Sequence, residues 1–371
     1  MKAKLQTLKA FLGALHTNKK GSRIKKKLLI IESDDWGAIR TPSAEAALAF
    51  EKNGLEIANS IYRVDALASE IDLNSLFELL SKHKDAEGNP AIITANAIMA
   101  NPDFDKIKAT NFQEYHYEVF SETFKRYPNH ANNLDLWKQG IAEKVFYPQF
   151  HGREHLNIKR WLKVLQDGNE AARFCFDWGT TYSGREDYSF MEAYDWDHPD
   201  DVSAHQFIIE DGMRIFEATF GFKSESFIAP CYNWDPKLED ELSKLGIKCI
   251  QGVKNQYVPT GIFGNYLPVR HHFGEKNANG ITYNIRNCSF EPAMNRHRDW
   301  VNICMTQINA AFLSGKPAVI TSHRINYIGF IEPENRDIGL KSLDSLLRQV
   351  TRKWPDIRFI STNQLMNYLN D

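Results

Sequence analysis

Short β-prone apolar runs alternate with amphipathic stretches along most of the chain. The runs lie at residues 28–31, 91–98, 145–150, 227–229, 248–253, 318–321 and 357–360. Apolar positions at helical spacing occupy residues 43–52, 156–165, 202–220, 236–245, 300–313, 339–351 and 363–369. Asp235-Pro236 marks a helix start, with Asp as N-cap and Pro at the first helical position, and Gly246 marks its stop. Strand and helix in alternation predict parallel βα units. With seven or eight such units the architecture is a barrel or an open sheet. Residues 267–290 read as extra strands, an added β decoration. No internal repeat, low-complexity tract or linker interrupts residues 28–371, which predicts a single catalytic domain after a basic segment at 1–27.

Composition narrows the class. The 371-residue chain is 43% hydrophobic and 25% charged, ordinary for a globular protein that buries a full core. A net charge of −2 argues against general nucleic-acid binding. No apolar run reaches the roughly 18 residues of a membrane span. The five cysteines, at 175, 231, 249, 288 and 304, are widely spaced and form no Cys-x-x-Cys pair. Reduced thiols are therefore expected, rather than a disulfide framework or a zinc ribbon.

Residues 1–27 carry nine basic and no acidic side chains. Leu5, Leu8, Phe11, Leu12 and Leu15 follow helical spacing there. Such a helix either packs on the domain or lays a basic amphipathic face on an anionic membrane surface. Packing is the expectation, because most amphipathic helices cover their own core. Lys9 interrupts any apolar core of a secretory signal, so a cytoplasmic protein is expected.

The reactive residues follow the apolar runs. Leu28-Leu29-Ile30-Ile31 leads into Glu32-Ser33-Asp34-Asp35-Trp36-Gly37, and the run ending at Phe150 leads into His151-Gly152-Arg153-Glu154-His155. Phe227-Ile228-Ala229 leads into Pro230-Cys231-Tyr232-Asn233-Trp234, and the run ending at Thr321 leads into Ser322-His323-Arg324. In parallel α/β folds the carboxyl ends of the strands carry the active site. On an extended segment Asp34 and Asp35 point to opposite sides, so one can bind a metal while the other faces water. At the start of a helix, His151 and His155 share one face and reach one cation. His323 suits a general acid, and Arg324 a substrate clamp. Trp36, Trp178, Tyr182, Tyr232 and Trp234 are candidate sugar platforms, and residues 177–201 a candidate substrate loop.

In this order the motifs resemble those of the polysaccharide deacetylase family, the NodB-homology type of carbohydrate esterase, over about residues 28–365. The resemblance implies a distorted (β/α) barrel, usually of seven strands. It makes Asp34 the base and Asp35, His151 and His155 the ligands of a divalent metal, with zinc ahead of Co, Ni or Fe. It matches Ser322-His323 to the late histidine motif, with His323 as the acid. It implies hydrolysis of an N-acetyl group, or less readily an O-acetyl group, on a carbohydrate. Pro230, Cys231, Tyr232, Trp234, Trp36 and Arg324 fall on the substrate side, with a backbone N–H of Cys231 or Tyr232 for the oxyanion. Two departures stand out. The arginine of the third motif is replaced by Ile228, which leaves Arg270, Arg286 and Arg324 as candidates to orient the base. The family's Asp-Trp motif has no match, since Asp195-Trp196 lies too early.

Three other readings compete. His151-Gly152-Arg153-Glu154-His155 fits the H-x-x-E-H pattern of inverted zinc peptidases, with Glu154 as base. A non-catalytic carbohydrate-binding protein on the same scaffold is another. A glycoside hydrolase would need two carboxylates flanking the bond rather than a metal set. The sugar and the oligomeric state are not legible.

Overall fold

The computed structural model describes residues 2–183, 185 and 189–369. Its centre is a curled parallel sheet of nine strands among the described residues. In chain order these are β1 (Leu28–Trp36), β2 (Ile93–Ile98), β3 (Phe146–Gly152), β4 (Ser226–Phe227), β5 (Cys249–Gly252), β6 (Thr282–Ile285), β7 (Cys288–Ser289), β8 (Ala318–His323) and β9 (Arg358–Phe359). They lie in the order β6-β5-β4-β3-β2-β1-β8-β7, and β9 pairs with the first residues of β1.

The first and last strands of this path, β6 and β7, are neighbours in sequence. Three trans peptide links separate Ile285 from Cys288, so the two sheet edges stand within ~11 Å of each other. Arg286 N–H still bonds Gly252 O on β5, while Asn287 N–H bonds Val319 O on β8. The sheet is thus closed into a distorted (β/α) barrel by a stretch of chain rather than by a hydrogen-bonded ladder. The expected decoration at 267–290 needs correcting on this point. Asn265–Arg270 does form a separate antiparallel hairpin with Asn255–Ile262. Residues 282–289, by contrast, supply two strands of the barrel itself, which takes it beyond the seven expected.

Apolar burial builds the rest. Leu28, Leu29, Ile30 and Ile31 are buried on both faces of the sheet, as strands flanked by helices require. Each such side chain contributes about 1.5–3 kcal/mol of transfer free energy. They share one core with apolar residues of the helices Glu70–Lys82, Asn133–Ala142, Asp201–Phe220, Trp300–Leu313 and Pro333–Lys353. The first two of these helices were not foreseen, although Ser69 and Asp72 form a reciprocal capping box ahead of one.

The basic segment is helical over Lys2–Thr17 and packs beside Trp300–Leu313, with Ala14 buried. Leu8 and Leu12 stay exposed, at 52% and 55%. No described helix is long and apolar enough to cross a membrane.

Candidate active site

The carboxyl ends of β1, β2, β3 and β8 converge on one buried polar cluster. On β1 the register against β2 runs Ser33 to Ala95 and then Trp36 to Ala97, so β1 carries one extra residue. This bulge holds Asp34 and Asp35, and Asp35 has a left-handed φ of 72°. The two carboxylates therefore do not simply alternate across an extended strand, as expected from sequence. Gly37, at φ 88°, lets the chain leave β1 sharply, because a Cβ there would stand 2.5 Å from Ile98 O.

Asp35 faces the two histidines. Its Oδ1 lies 3.5 Å from the Nε2 atoms of both His151 and His155. One ligand atom from each residue can be chosen so that all lie within 4.8 Å of one another, and all three residues are buried. His151 is on strand β3 and His155 in the loop after it, with the next helix starting only at Ile158. The expected helix start is thus replaced by a strand and a turn, and Gly152, at φ 139°, allows the turn. His151 Nδ1 donates to Ile228 O at 2.9 Å, which leaves Nε2 of the neutral ring as a bare lone pair. Asp35 Oδ1 and His151 Nε2 are buried without any hydrogen-bond partner. Orphaned acceptors facing one point are costly unless something sits between them, and a divalent cation fits this donor set.

Asp34 is held differently. Arg286 Nη1 donates to its Oδ2 at 2.6 Å and Nη2 to its Oδ1 at 2.7 Å, while Asn96 Nδ2 adds 2.7 Å to Oδ1. Arg286 Nε in turn binds Glu32 Oε2 at 2.7 Å. Burial penalises the Asp34 charge, but Arg286 outweighs it and holds the carboxyl well below its usual range. For Asp35, burial is likewise overcome by Arg40 and the two histidines. Burial, with help from Arg40, pushes His155 well down.

His323 on β8 is the register partner of Asp34 on β1. Parallel neighbours in register present their side chains to the same face, and His323 Nε2 stands 3.9 Å from Asp34 Oδ2. On its other side His323 Nδ1 donates to Glu291 Oε1 at 2.7 Å. Asn326 Nδ2 fixes Glu291 through Oε2 at 2.6 Å. Burial works against the imidazolium, but Glu291, helped by Asp34 and Asp35, raises its pKa to about 10.

The remaining candidates divide. Pro230 is buried, Cys231 is exposed and Tyr232 is partly buried, and Cys231 and Tyr232 have φ of 55° and 56°. Tyr232 N–H bonds Ala229 O, so it is no longer open to an oxyanion. Its hydroxyl accepts from Arg286 Nη1 at 3.2 Å. Arg324 is not a substrate clamp. It is fully buried and donates to Asp35 O, Ala38 O and Asp65 Oδ1, bracing the bulge from behind. Trp36 is a core residue at 1% exposure, edge-on to Trp137 and Phe146. Trp234 is also buried, bonded through Nε1 to Glu239. Trp178 is exposed at 37%. Residues 184 and 186–188 of the expected substrate loop lie outside the described residues.

Glu154 does not face the histidine pair. Both its oxygens accept from Arg153 Nε, at 2.8 and 2.9 Å. Burial, only partly offset by Arg153, raises its pKa to about 7. The helical H-x-x-E-H arrangement is not formed.

Sequence reasoning left Arg286 unranked and missed Glu32, Asn96, Glu291 and Arg40. Glu32 had a signal, since it lies two positions before Asp34 on the same strand and so on the same face. Arg286 and Glu291 follow β6 and β7, the strands read as decoration.

A scan against protein-family models and a search of curated proteins both found no match. Solved structures align along most of the chain. A protein designated a polysaccharide deacetylase, from Mycobacterium smegmatis, is 10% identical, with 94% of each chain covered and a TM-score of 0.44. A 4-alpha-glucanotransferase from Thermococcus litoralis is 11% identical over 93% of this chain and 40% of its own, at a TM-score of 0.45. Peptidoglycan deacetylase PdaC from Bacillus subtilis is 10% identical over 93% and 92%, at 0.37. At these scores none of the three speaks to activity.

Proposed function

We propose that the chain is a metal-dependent deacetylase of the polysaccharide deacetylase kind, acting on an N-acetylated carbohydrate. The observation that carries this reading is the pairing of a buried Asp-His-His donor set with an adjacent Asp34, gripped by Arg286, and with His323, which bonds Glu291 and stands 3.9 Å from Asp34. Asp35, His151 and His155 would hold the cation, zinc by preference, which polarises the acyl carbonyl and acidifies water when bound.

The chain's own residues supply the proton traffic. Asp34, kept ionised by Arg286, accepts the proton of the attacking water. The water oxygen adds to the acyl carbon, and the Cys231 backbone N–H is the donor proposed for the oxygen that gains charge. His323, held cationic by Glu291, gives its proton to the sugar nitrogen as the C–N bond breaks, releasing acetate and the amine. A poor amine leaving group needs such an acid more than an alkoxide does, which favours N-acetyl over O-acetyl.

Asp34→Asn tests the reading. Acetate release from acetylated sugars should fall by a factor of about 100 to 10,000, the usual worth of a general base, with the metal retained. A variant releasing acetate at the wild-type rate would overturn it.

A further inference from the structure

The Lys2–Thr17 helix spends only one face on the domain. Ala14 is buried on the side that packs beside Trp300–Leu313. Leu8 and Leu12, four positions apart on another side, are more than half exposed, and His16 continues their row in solvent. The row runs about 12 Å along the helix.

A basic cavity stands at its end. His16, Lys19, Lys20, Lys254, Arg270 and His272 line a hollow of about 60 Å³, room for one phosphate group. No carboxylate is among the described residues lining it. Three stretches of chain are tied together to build it. Asn255 at one foot of the hairpin pairs with Arg270 at the other, and His271 N–H bonds Lys254 O. Ser22 N–H bonds Phe273 O at 2.8 Å, and Lys316 Nζ donates to Gly21 O and Ser22 O. Residues 19–22 are thereby laid along 270–273. Gly21, at φ 91°, permits the approach, because a Cβ there would collide with Phe273 O.

The donors are open and unspent. Lys20 and Arg270 are exposed, and Lys254 and His272 are partly so. The side chains of Lys20, Lys254 and Arg270 make no hydrogen bond or ion pair among the described residues. Burial, then Arg270 and Lys20, lower the Lys254 pKa. Burial lowers that of His272 too, with Lys20, Lys254 and Arg270 adding to it against Glu275. Glu275 Oε2 is turned to the His272 N–H at 2.9 Å. Cations gathered in this way repel one another until an anion joins them.

We propose that this face docks on an anionic phospholipid bilayer, with a headgroup phosphate in the cavity and Leu8 and Leu12 in the acyl boundary. Phosphate brings the charge that the cavity lacks. A lipid also gives the leucines an apolar neighbour, whereas a free phosphate would leave them in water.

The test is co-sedimentation of the full chain with vesicles of phosphatidylcholine, alone or mixed with phosphatidylglycerol, at low ionic strength. Attachment should require the anionic lipid and weaken with added salt. Lys254→Gln combined with Arg270→Gln should weaken it on the order of tenfold or more. Lys25→Gln combined with Lys26→Gln removes the same charge outside the cavity and should cost clearly less. Leu8→Ser combined with Leu12→Ser should weaken attachment by about tenfold or more, with helicity by circular dichroism unchanged. No attachment of wild type to anionic vesicles, equal losses from the two charge pairs, or attachment indifferent to the leucines overturns the proposal. Calorimetric titration with inorganic phosphate separates the two sources of the anion. Phosphate binding that is lost in the Lys254 and Arg270 pair, without vesicle attachment by wild type, would assign the cavity to a soluble ligand and overturn the docking.

Discussion

Arg286 grips Asp34 through two hydrogen bonds, Nη1 to Oδ2 and Nη2 to Oδ1, at 2.6 and 2.7 Å. The arginine stands at the seam where β6 and β7 close the barrel, so one residue joins the architecture to the proposed base. Its Nε is spent on Glu32, and neither Arg286 nor Glu32 reaches solvent. In the proposed mechanism this guanidinium takes the place of the arginine that the resemblance expected at Ile228.

Arg286→Gln should leave two buried carboxylates facing each other. Breaking a buried pair by removing one partner costs about 3–5 kcal/mol. The melting temperature should drop sharply, and any folded fraction should show reduced kcat. Unchanged stability in thermal denaturation would contradict the pairing.

Glu291→Gln removes the charge that holds His323 protonated. The raised pKa of about 10 means that His323 stays an acid through neutral pH and loses its proton only at the alkaline end. In the variant the alkaline limb of kcat/KM should move to lower pH, with the acid limb unmoved. The sign for stability is the same. A folded pKa raised above the unfolded value of 6.5 gives a contribution present in full below pH 6.5 and lost as pH rises toward 10. Glu291→Gln should flatten that decline in denaturation curves taken across the range.

Arg324→Ala should act on folding rather than on substrate affinity. Its three bonds brace Asp35 O, Ala38 O and Asp65 from the barrel side. Asp65 is left as an uncompensated buried charge, with a loss of about 3–5 kcal/mol. A stable variant with a raised KM would restore the substrate-clamp role.

Glu154→Gln distinguishes the two metal hydrolases. Arg153 keeps Asp211 as a second partner at 2.9 Å, so the fold should survive. Acetate release should stay within a few-fold of wild type. Loss of about two to four orders of magnitude, the worth of a general base, would point to the peptidase arrangement.

Much of the barrel was legible because apolar runs report buried strands directly. Leu28–Ile31 and Ala318–Thr321 are unbroken, and both form the strands expected. The stretch from Thr282 to Ser289 was misread because its two strands span four and two residues and are separated only by Arg286 and Asn287. Nothing local says that such neighbours lie on opposite edges of one sheet. Arg286 and Glu291 were hidden by the same misreading. That Asp34, Asp35, His151, His155 and His323 gather in one place was legible because strand ends in parallel folds converge. Trp36 and Trp234 mark the limit, since an aromatic in a motif looks the same whether it faces a ligand or the core. Arg40 has no sequence signature, because its place beside Asp35 exists only in three dimensions.

Asp35, His151 and His155 are proposed to hold a cation. Metal content per chain, measured on zinc-reconstituted wild type and on folded Asp35→Ala, tests it most directly. The expected result is close to one zinc per wild-type chain and a large loss in the variant. A wild type that takes up no metal on reloading, or an Asp35→Ala that keeps a full equivalent, would contradict it.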